Sequence, residues 1–269
     1  DGIRVTIYVT GSGFTNESQE VSVQINQTNC KILQANSTRI ICSTSAMPPR
    51  GTYPVTVQVT PRGSAVNSSG ENIFLTVEPR ILTINPSTGP ETGGSWITLE
   101  GTSLEEVQEV FFGSQPALVD LKMNNATQIV CRLPPKTDED SAVDVTVIIG
   151  NQPLPLTDAF KYDPSLNPLV VSLSRNTSST AGGDILEIGV LRFGDCADQD
   201  IKVTVQNTQV TIRELTSDEI QAILPPMPIG LYNISITING IQVNSTEELL
   251  VVQYVGNVTS IDPCCGSFE

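Results

Sequence analysis

Histidine is absent from the 269 residues. That removes the commonest general base, the commonest metal ligand and every Ser-His or Cys-His nucleophile pair at once. Paired carboxylates could still do acid and base work, but the acidic residues sit in loop-like stretches and converge on no repeated position. No enzyme and no cofactor are expected. Basic residues are scarce as well: 14 Lys and Arg against 29 Asp and Glu leave a net charge of −15, and long-range repulsion then opposes phosphate backbones and anionic bilayers. Nucleic acid is excluded as a partner on this ground. No apolar run approaches the roughly 20 residues that cross a bilayer, so the fragment itself is not expected in the membrane. The opening DGIRVTIYVTGSGF has neither the charged start nor the apolar block of a signal peptide. The chain is expected to be an interior piece of a longer polypeptide whose anchor lies elsewhere.

What is plentiful is Val, Ile, Thr, Ser and Asn, against 5% aromatic and 16% charged residues. This is the composition of pleated sheet joined by polar turns. Self-similarity organises it, with a period near 89 residues. GTYPVTVQV from Gly51 recurs as SAVDVTVII from Ser141 and GLYNISITI from Gly230, each with apolar residues at period two. TRIICSTSAMPP from Thr38 recurs as TQIVCRLPP from Thr127 and DEIQAILPPMP from Asp218, and the double proline ends the ladder. ILTINPSTGPETGGSWITLEG from Ile81 recurs as VVSLSRNTSSTAGGDILEIG from Val170 and begins again at VTSIDPCCGS from Val258. Its Gly-Gly permits the positive φ of a turn into the next strand.

The reading is therefore a repeat over 1–79 that lacks its first strand, a second over 80–164, a third, divergent, over 165–255, and the start of a further one over 256–269. The junctions VEPRI and KYDPSL are short and carry Pro79 and Pro164, which makes them stiff connectors. Seven or so short strands per repeat, punctuated by Gly, Pro and Asn, is the signature of an immunoglobulin-like sandwich. A barrel is the alternative; a propeller fits less well, since its blades repeat at about 40 to 50 residues.

Compartment is read from Asn-X-Ser/Thr sequons at Asn16, Asn26, Asn36, Asn67, Asn125, Asn176, Asn233, Asn244 and Asn257, against roughly three expected by chance in so Ser- and Thr-rich a chain. N-glycosylation and an extracellular location are expected. In VSVQINQT the apolar Val21, Val23 and Ile25 leave Asn26 on the outward phase, and in NISITI the three isoleucines leave Asn233 outward. An oxidising compartment lets cysteines pair. Cys30 and Cys42 fall on successive strands around the turn at QANST, and a bridge there closes about 13 residues, worth roughly 3 kcal/mol. The second copy keeps Cys131 in place of Cys42 but has Ala117 in place of Cys30; the third has Val210 and Ala222. Spacing chooses no partner for Cys131, Cys196, Cys264 or Cys265.

Other features carry less. In DCADQD the alternating Asp195, Asp198 and Asp200 are the best calcium candidates, yet the glycine and distal glutamate of a helical calcium loop are missing, and a solvated acidic loop is the expectation. Asp138, Glu139 and Asp140 read as a charge run facing water. Trp96, the lone tryptophan, opens an apolar strand and is expected in the core.

The recurrent order INPSTGPETGGSWITLEG, a strand pair bearing NCKIL, then TRIICSTSAMPP and GTYPVTVQV resembles the IPT/TIG domain. That immunoglobulin-like fold is shared by plexins, the hepatocyte growth factor receptor family, some transcription factors and the fibrocystins. The resemblance covers essentially the whole chain and is weakest in the third copy, whose RNTSSTAGG departs from the proline and glycine turn. Back-to-back units, the opening DPCCGSFE and many sequons most resemble the fibrocystins and fibrocystin-like proteins, very large single-span receptors with long arrays of such units. It implies an all-β fold of tandem sandwiches arranged as a semi-rigid rod, on the extracellular side of the plasma membrane, for fibrocystins on cilia or stereocilia. Expected partners are other proteins or further copies at the cell surface. The family brings no catalytic residues, and only Cys30 and Cys42 map onto its cysteine pair. A structural or adhesive rod is the first expectation. A receptor for a defined protein ligand is the alternative, marked by a sequon-free apolar face shared by two repeats. A DNA-binding unit would need a basic patch, and a carbohydrate-binding one would need exposed aromatics.

Overall fold

In the computed structural model, residues 5–44, 48–67, 69–193, 200–246 and 250–256 are described. Their regular secondary structure is almost entirely strand, joined by turns and by the 3-10 turns Ser18–Glu20 and Pro164–Leu166. The first repeat runs through β1 (Val5–Thr10), β2 (Val21–Ile25), β3 (Thr28–Ala35), β4 (Arg39–Thr44), β5 (Gly51–Val59), β6 (Gly63–Ser64) and β7 (Ile73–Val77). The second holds β8 (Arg80–Asn85), β9 (Thr88–Gly89), β10 (Trp96–Thr102), β11 (Val107–Phe112), β12 (Gln115–Pro116), β13 (Leu118–Val119), β14 (Gln128–Arg132), β15 (Ala142–Ile149) and β16 (Gln152–Tyr162). The third holds β17 (Leu169–Leu173), β18 (Thr177–Ser179), β19 (Ile185–Leu191), β20 (Ile201–Val205), β21 (Thr208–Gln209), β22 (Thr211–Leu215), β23 (Glu219–Ile223), β24 (Gly230–Ile238), β25 (Ile241–Gln242), β26 (Asn244–Ser245) and β27 (Val251–Val255).

These strands gather into two compact units, Asp1–Leu82 with Glu100–Glu106 and Asn124–Gln128, and Thr83–Leu99 with Val107–Met123 and Ile129–Glu269. In the first unit the strand order is β1-β4-β3-β2-β5-β6, with β7 on β5. Strand β3 serves two sheets: Thr28, Asn29 and Cys30 pair with β2, and Lys31 to Ala35 pair with β4. The alternation foreseen for β2 is realised, with Val21, Val23 and Ile25 inward and Ser22 and Gln24 outward. Val21 and Val23 close on Phe14, Ile40, Val57 and Val59, and each such buried aliphatic side chain contributes about 1.5 to 3 kcal/mol.

The second unit carries the sheets β12-β11-β15-β16-β9, β22-β23-β19-β17-β26 and β18-β27-β24-β20-β21. Val143, Val145, Val147 and Ile149 of β15 point inward, where Phe112 and Phe160 meet edge to face at 4.9 Å and Phe160 and Tyr162 at 5.4 Å. The last sandwich closes on Leu186, Ile188, Val203, Val205, Ile220, Ile236, Ile238 and Tyr254.

The two punctuation signals of the repeat touch each other. Gly93 (φ +71°) lies so close to the double-proline turn that a Cβ would stand 2.6 Å from the Pro134 carbonyl carbon, and Gly94 donates its N–H to Leu133 O at 2.8 Å. Gly182 (φ +67°) stands in the same relation to Pro225 and Pro226, with Gly183 donating to Leu224 O at 2.9 Å. Glycine is thus required twice over, for the left-handed backbone and for the close approach.

One local expectation is corrected. Trp96 is not in the core: it is 42% exposed on β10, because its side chain takes the outward phase while Ile97 and Leu99 take the inward one. Asn26 is exposed, but β2 ends at Ile25, and Asn26 (φ 47°) with Gln27 (φ 68°) forms the two-residue turn into β3. Asparagine tolerates that left-handed conformation better than most residues.

Candidate functional site

Among the described residues, no group of three or more His, Cys, Asp or Glu is placed to hold a metal ion. Asp195 and Asp198, together with Cys196, Cys264, Cys265, Asn257 and all but the first residue of the further repeat expected at 256–269, lie outside the described residues. Asp200 is exposed and pairs with Lys202 at 2.6 Å. Asp138 is part of a turn, accepting from the Ser114 hydroxyl at 3.0 Å and from its N–H at 3.3 Å.

The second and third repeats meet within one unit at a hydrogen-bonded junction. Asp163 Oδ1 accepts from Ser165 N–H at 2.9 Å and caps the 3-10 turn Pro164–Leu166. The Ser165 contacts hold the Asp163 carboxyl below its usual range. The chain then presents Asn167, whose Oδ1 accepts from Glu91 N–H at 2.6 Å and whose Nδ2 donates to Glu91 Oε2 at 3.2 Å. Lys136 Nζ holds the other Glu91 oxygen at 3.1 Å, both side chains being largely shielded from solvent. Arg192 Nε donates to Asn167 O at 3.1 Å, and Asn239 Nδ2 donates to Thr92 O at 2.8 Å.

Of the sequon asparagines, Asn16, Asn26, Asn67, Asn125, Asn176, Asn233 and Asn244 are exposed, and Asn36 is half-buried. Asn36 and Asn125 occupy the same turn, before β4 and before β14. Asn36 Oδ1 accepts from Thr38 N–H, the Thr38 hydroxyl and Arg39 N–H at 2.9, 3.1 and 2.7 Å. Asn125 Oδ1 accepts from Thr127 N–H and its hydroxyl, both at 2.9 Å. In the third repeat Thr216 does the same work, its Oγ1 accepting from Glu219 N–H at 3.1 Å. The carbonyl oxygen is used by the turn, and the amide nitrogen is the atom a glycan would take. The spacing of these two sequons by one repeat was present in the sequence and was missed as a signal.

Cys30 and Cys42 are joined by a disulfide with Cα atoms 5.5 Å apart, inside the first core. Cys131 is fully buried as a free thiol. Ala117 N–H donates to Val110 O, as Val210 N–H does to Val203 O, which puts both at the place of Cys30, whose own partner is Val23. Burial pushes the Cys131 thiol up to about 12.

Aromatic side chains are exposed at Tyr8, Phe74 and Trp96. Arg39 lies over the Tyr8 ring at 4.6 Å and Arg132 over Trp96 at 4.7 Å, so each of these two rings has one face taken by a guanidinium. Beside Arg132, a cavity of about 200 Å³ is lined by Pro116, Leu118, Leu133, Pro134 and Pro135 of the second repeat and Asn239 of the third.

Successive two-sheet sandwiches with parallel edge pairings and a shared Gly-Gly to Pro-Pro contact define a tandem array of immunoglobulin-like domains. The IPT/TIG domain matches three times, at residues 1–74, 79–162 and 168–254. The chain belongs to the IPT/TIG domain family. It is 41% identical over 265 residues to Fibrocystin of Canis lupus familiaris, covering 98% of this chain and 6% of that protein. Fibrocystin-L of Homo sapiens is 28% identical over 264 residues, 96% of this chain and 6% of the relative. Plexin-B3 of Homo sapiens is 29% identical over 192 residues, 70% of this chain and 10% of the relative. The chain thus spans a small part of the length of each.

Proposed function

We propose that this chain is a non-catalytic, N-glycosylated, structural and adhesive stretch in the ectodomain of a large cell-surface receptor-like protein. The resemblance to the fibrocystins supports a role in a ciliary or stereociliary coat. The observation that carries the reading is the junction of Glu91, Asn167 and Lys136, a connector built to resist bending rather than a tether. The repeat limits near residues 79 and 164, the bridge between Cys30 and Cys42 and glycans at the exposed sequons belong to the same reading. Secretion from animal cells followed by non-reducing peptide mass spectrometry tests it. Occupied sequons with a Cys30 to Cys42 bridge are the expected result, and empty sequons with free thiols would overturn the extracellular assignment.

A second reading, a receptor segment for a protein ligand, is favoured by one feature. Exposed Leu118 and Arg132, whose guanidinium lies over the Trp96 ring, line a cavity to which two repeats contribute. Loss of ligand capture on Leu118→Asp, with glycosylation unchanged, would support it.

A further inference from the structure

Where the third repeat crosses from β17 to β18, it carries an open cavity of about 510 Å³. Leu173, Leu231 and Val251 give it apolar walls, Arg175 and Gln253 give it polar ones, and the sequon residue Asn176 stands in the lining itself. Asn176 is exposed, and its place is fixed: its backbone carbonyl accepts from Gln253 N–H at 2.8 Å. Arg175 is held by its ion pair with Asp184 at 2.6 Å, which engages only part of a five-donor fork.

The second repeat shows the same place without a sequon. There Lys161 N–H donates to Ser87 O at 3.0 Å, so Ser87 corresponds to Asn176 and Lys161 to Gln253. Ala142 pairs with Lys161 as Leu231 pairs with Gln253. The attachment asparagine and a large apolar side chain therefore arrive together, and that side chain, Leu231, is 71% exposed. With half-buried Leu173 and Val251 lining the same cavity, it belongs to an apolar wall and is not a lone exposed leucine.

We propose that this cavity is the seat of the N-glycan carried by Asn176, taking the first two N-acetylglucosamine units. In the attachment Nδ2 gives up one proton and bonds to C1 of the first sugar, and a lipid-linked pyrophosphate leaves from the oligosaccharide donor. The cavity falls within the roughly 300 to 1,000 Å³ of small-ligand sites. The apolar C–H faces of the sugar rings pack on Leu173, Leu231 and Val251, and their hydroxyl and acetamido groups bond to Arg175 and Gln253. Because the glycan is tethered at the rim, seating is intramolecular and needs only weak contacts. The inference rests on the reading of the chain as N-glycosylated. Asn233 lies opposite Val251 on the neighbouring strand, which makes its glycan the rival occupant.

The test uses protein secreted from animal cells with its glycans kept in the high-mannose form. The folded chain is treated with an endoglycosidase that cuts between the first two N-acetylglucosamines, and cutting is followed at each sequon by mass spectrometry. Cutting at Asn176 should be at least about tenfold slower than at Asn244, as for an unseated state populated to about 10% or less, and the difference should vanish in denaturant. Leu231→Ala combined with Gln253→Ala, both at exposed positions, should restore fast cutting at Asn176, while urea denaturation shows the third repeat still folded. Asn233→Gln should leave the protection as it is. Equal cutting at Asn176 in the parent and the double variant overturns the proposal. Protection that disappears with Asn233→Gln also overturns it, by giving the cavity to the other glycan. An empty Asn176 among occupied sequons overturns this inference alone, whereas empty sequons throughout bring down the glycosylated reading and this inference with it.

Discussion

Glu91 and Asn167 hold each other reciprocally across the second and third repeats. The Glu91 N–H donates to Asn167 Oδ1 at 2.6 Å and Asn167 Nδ2 donates back to Glu91 Oε2 at 3.2 Å. One side chain thus satisfies a backbone donor and a carboxylate that Lys136 also holds. Because the pair joins two sandwiches that each have their own core, its removal should loosen the junction without unfolding either. Asn167→Ala leaves the Glu91 N–H without its partner, at a cost of about 1 to 3 kcal/mol. The expected outcome is faster proteolysis at 163–168 and broader inter-repeat distances by fluorescence energy transfer, with the melting of each sandwich nearly unchanged. Unaltered distances would show that Arg192 and Asn239 hold the junction alone.

The turn occupied by Asn36 and Asn125 separates a structural role from a glycan. Asn36→Asp keeps an oxygen for Thr38 and Arg39 N–H but destroys the sequon, whereas Asn36→Ala removes both. In protein made without glycans, Asn36→Ala should lower stability by about 1 kcal/mol, and Asn36→Asp should stay within about 0.5 kcal/mol of the parent. Urea denaturation of the first unit checks this, and Asn125 should follow the same rule.

The cysteines should respond to reagents in opposite ways. The bridge between Cys30 and Cys42 closes a sequence separation of 12, so replacing both by alanine should cost roughly 3 kcal/mol by the chain-entropy argument. Cys131 is fully buried with its thiol pushed up to about 12. It should resist iodoacetamide in the native chain at pH 8 and react fully in denaturant. Intact-mass measurement before and after unfolding reads this directly.

Much of the architecture was legible because the repeats carry the same alternation three times. The inward positions of β2, β15 and β24 follow from period two alone. The Gly-Gly and Pro-Pro signals were each legible as turn chemistry, but their contact was not, since Gly93 and Pro134 lie far apart in sequence and meet only when two strands pair. Trp96 was misplaced for a related reason. Its hydrophobicity argued for burial, while strand phase, fixed by Ile97 and Leu99, put it outside and left Arg132 to cover one face. Pro164 marked the place of the inter-repeat junction in the sequence. The residues that bond it, Glu91 and Asn167, have no sequence signal, being single polar residues brought together by tertiary structure.

Acid should weaken the third repeat through Asp184. Its carboxyl is held below the ordinary range first by the N–H of Ser179 at 3.1 Å, then by the Ser178 hydroxyl at 2.8 Å, with Arg175 adding to both. These bonds tie β18 to the start of β19. A carboxyl with a lowered folded pKa contributes stability that is fully present above its unfolded value, about 3.9, and is lost as pH falls through the folded one. Asp184→Asn removes that contribution, so the two proteins should differ most above pH 5 in urea denaturation followed at the third repeat. Their stabilities should converge as pH is lowered through and below 3.9. A gap that stays constant down to pH 2 would show that Asp184 acts through packing alone.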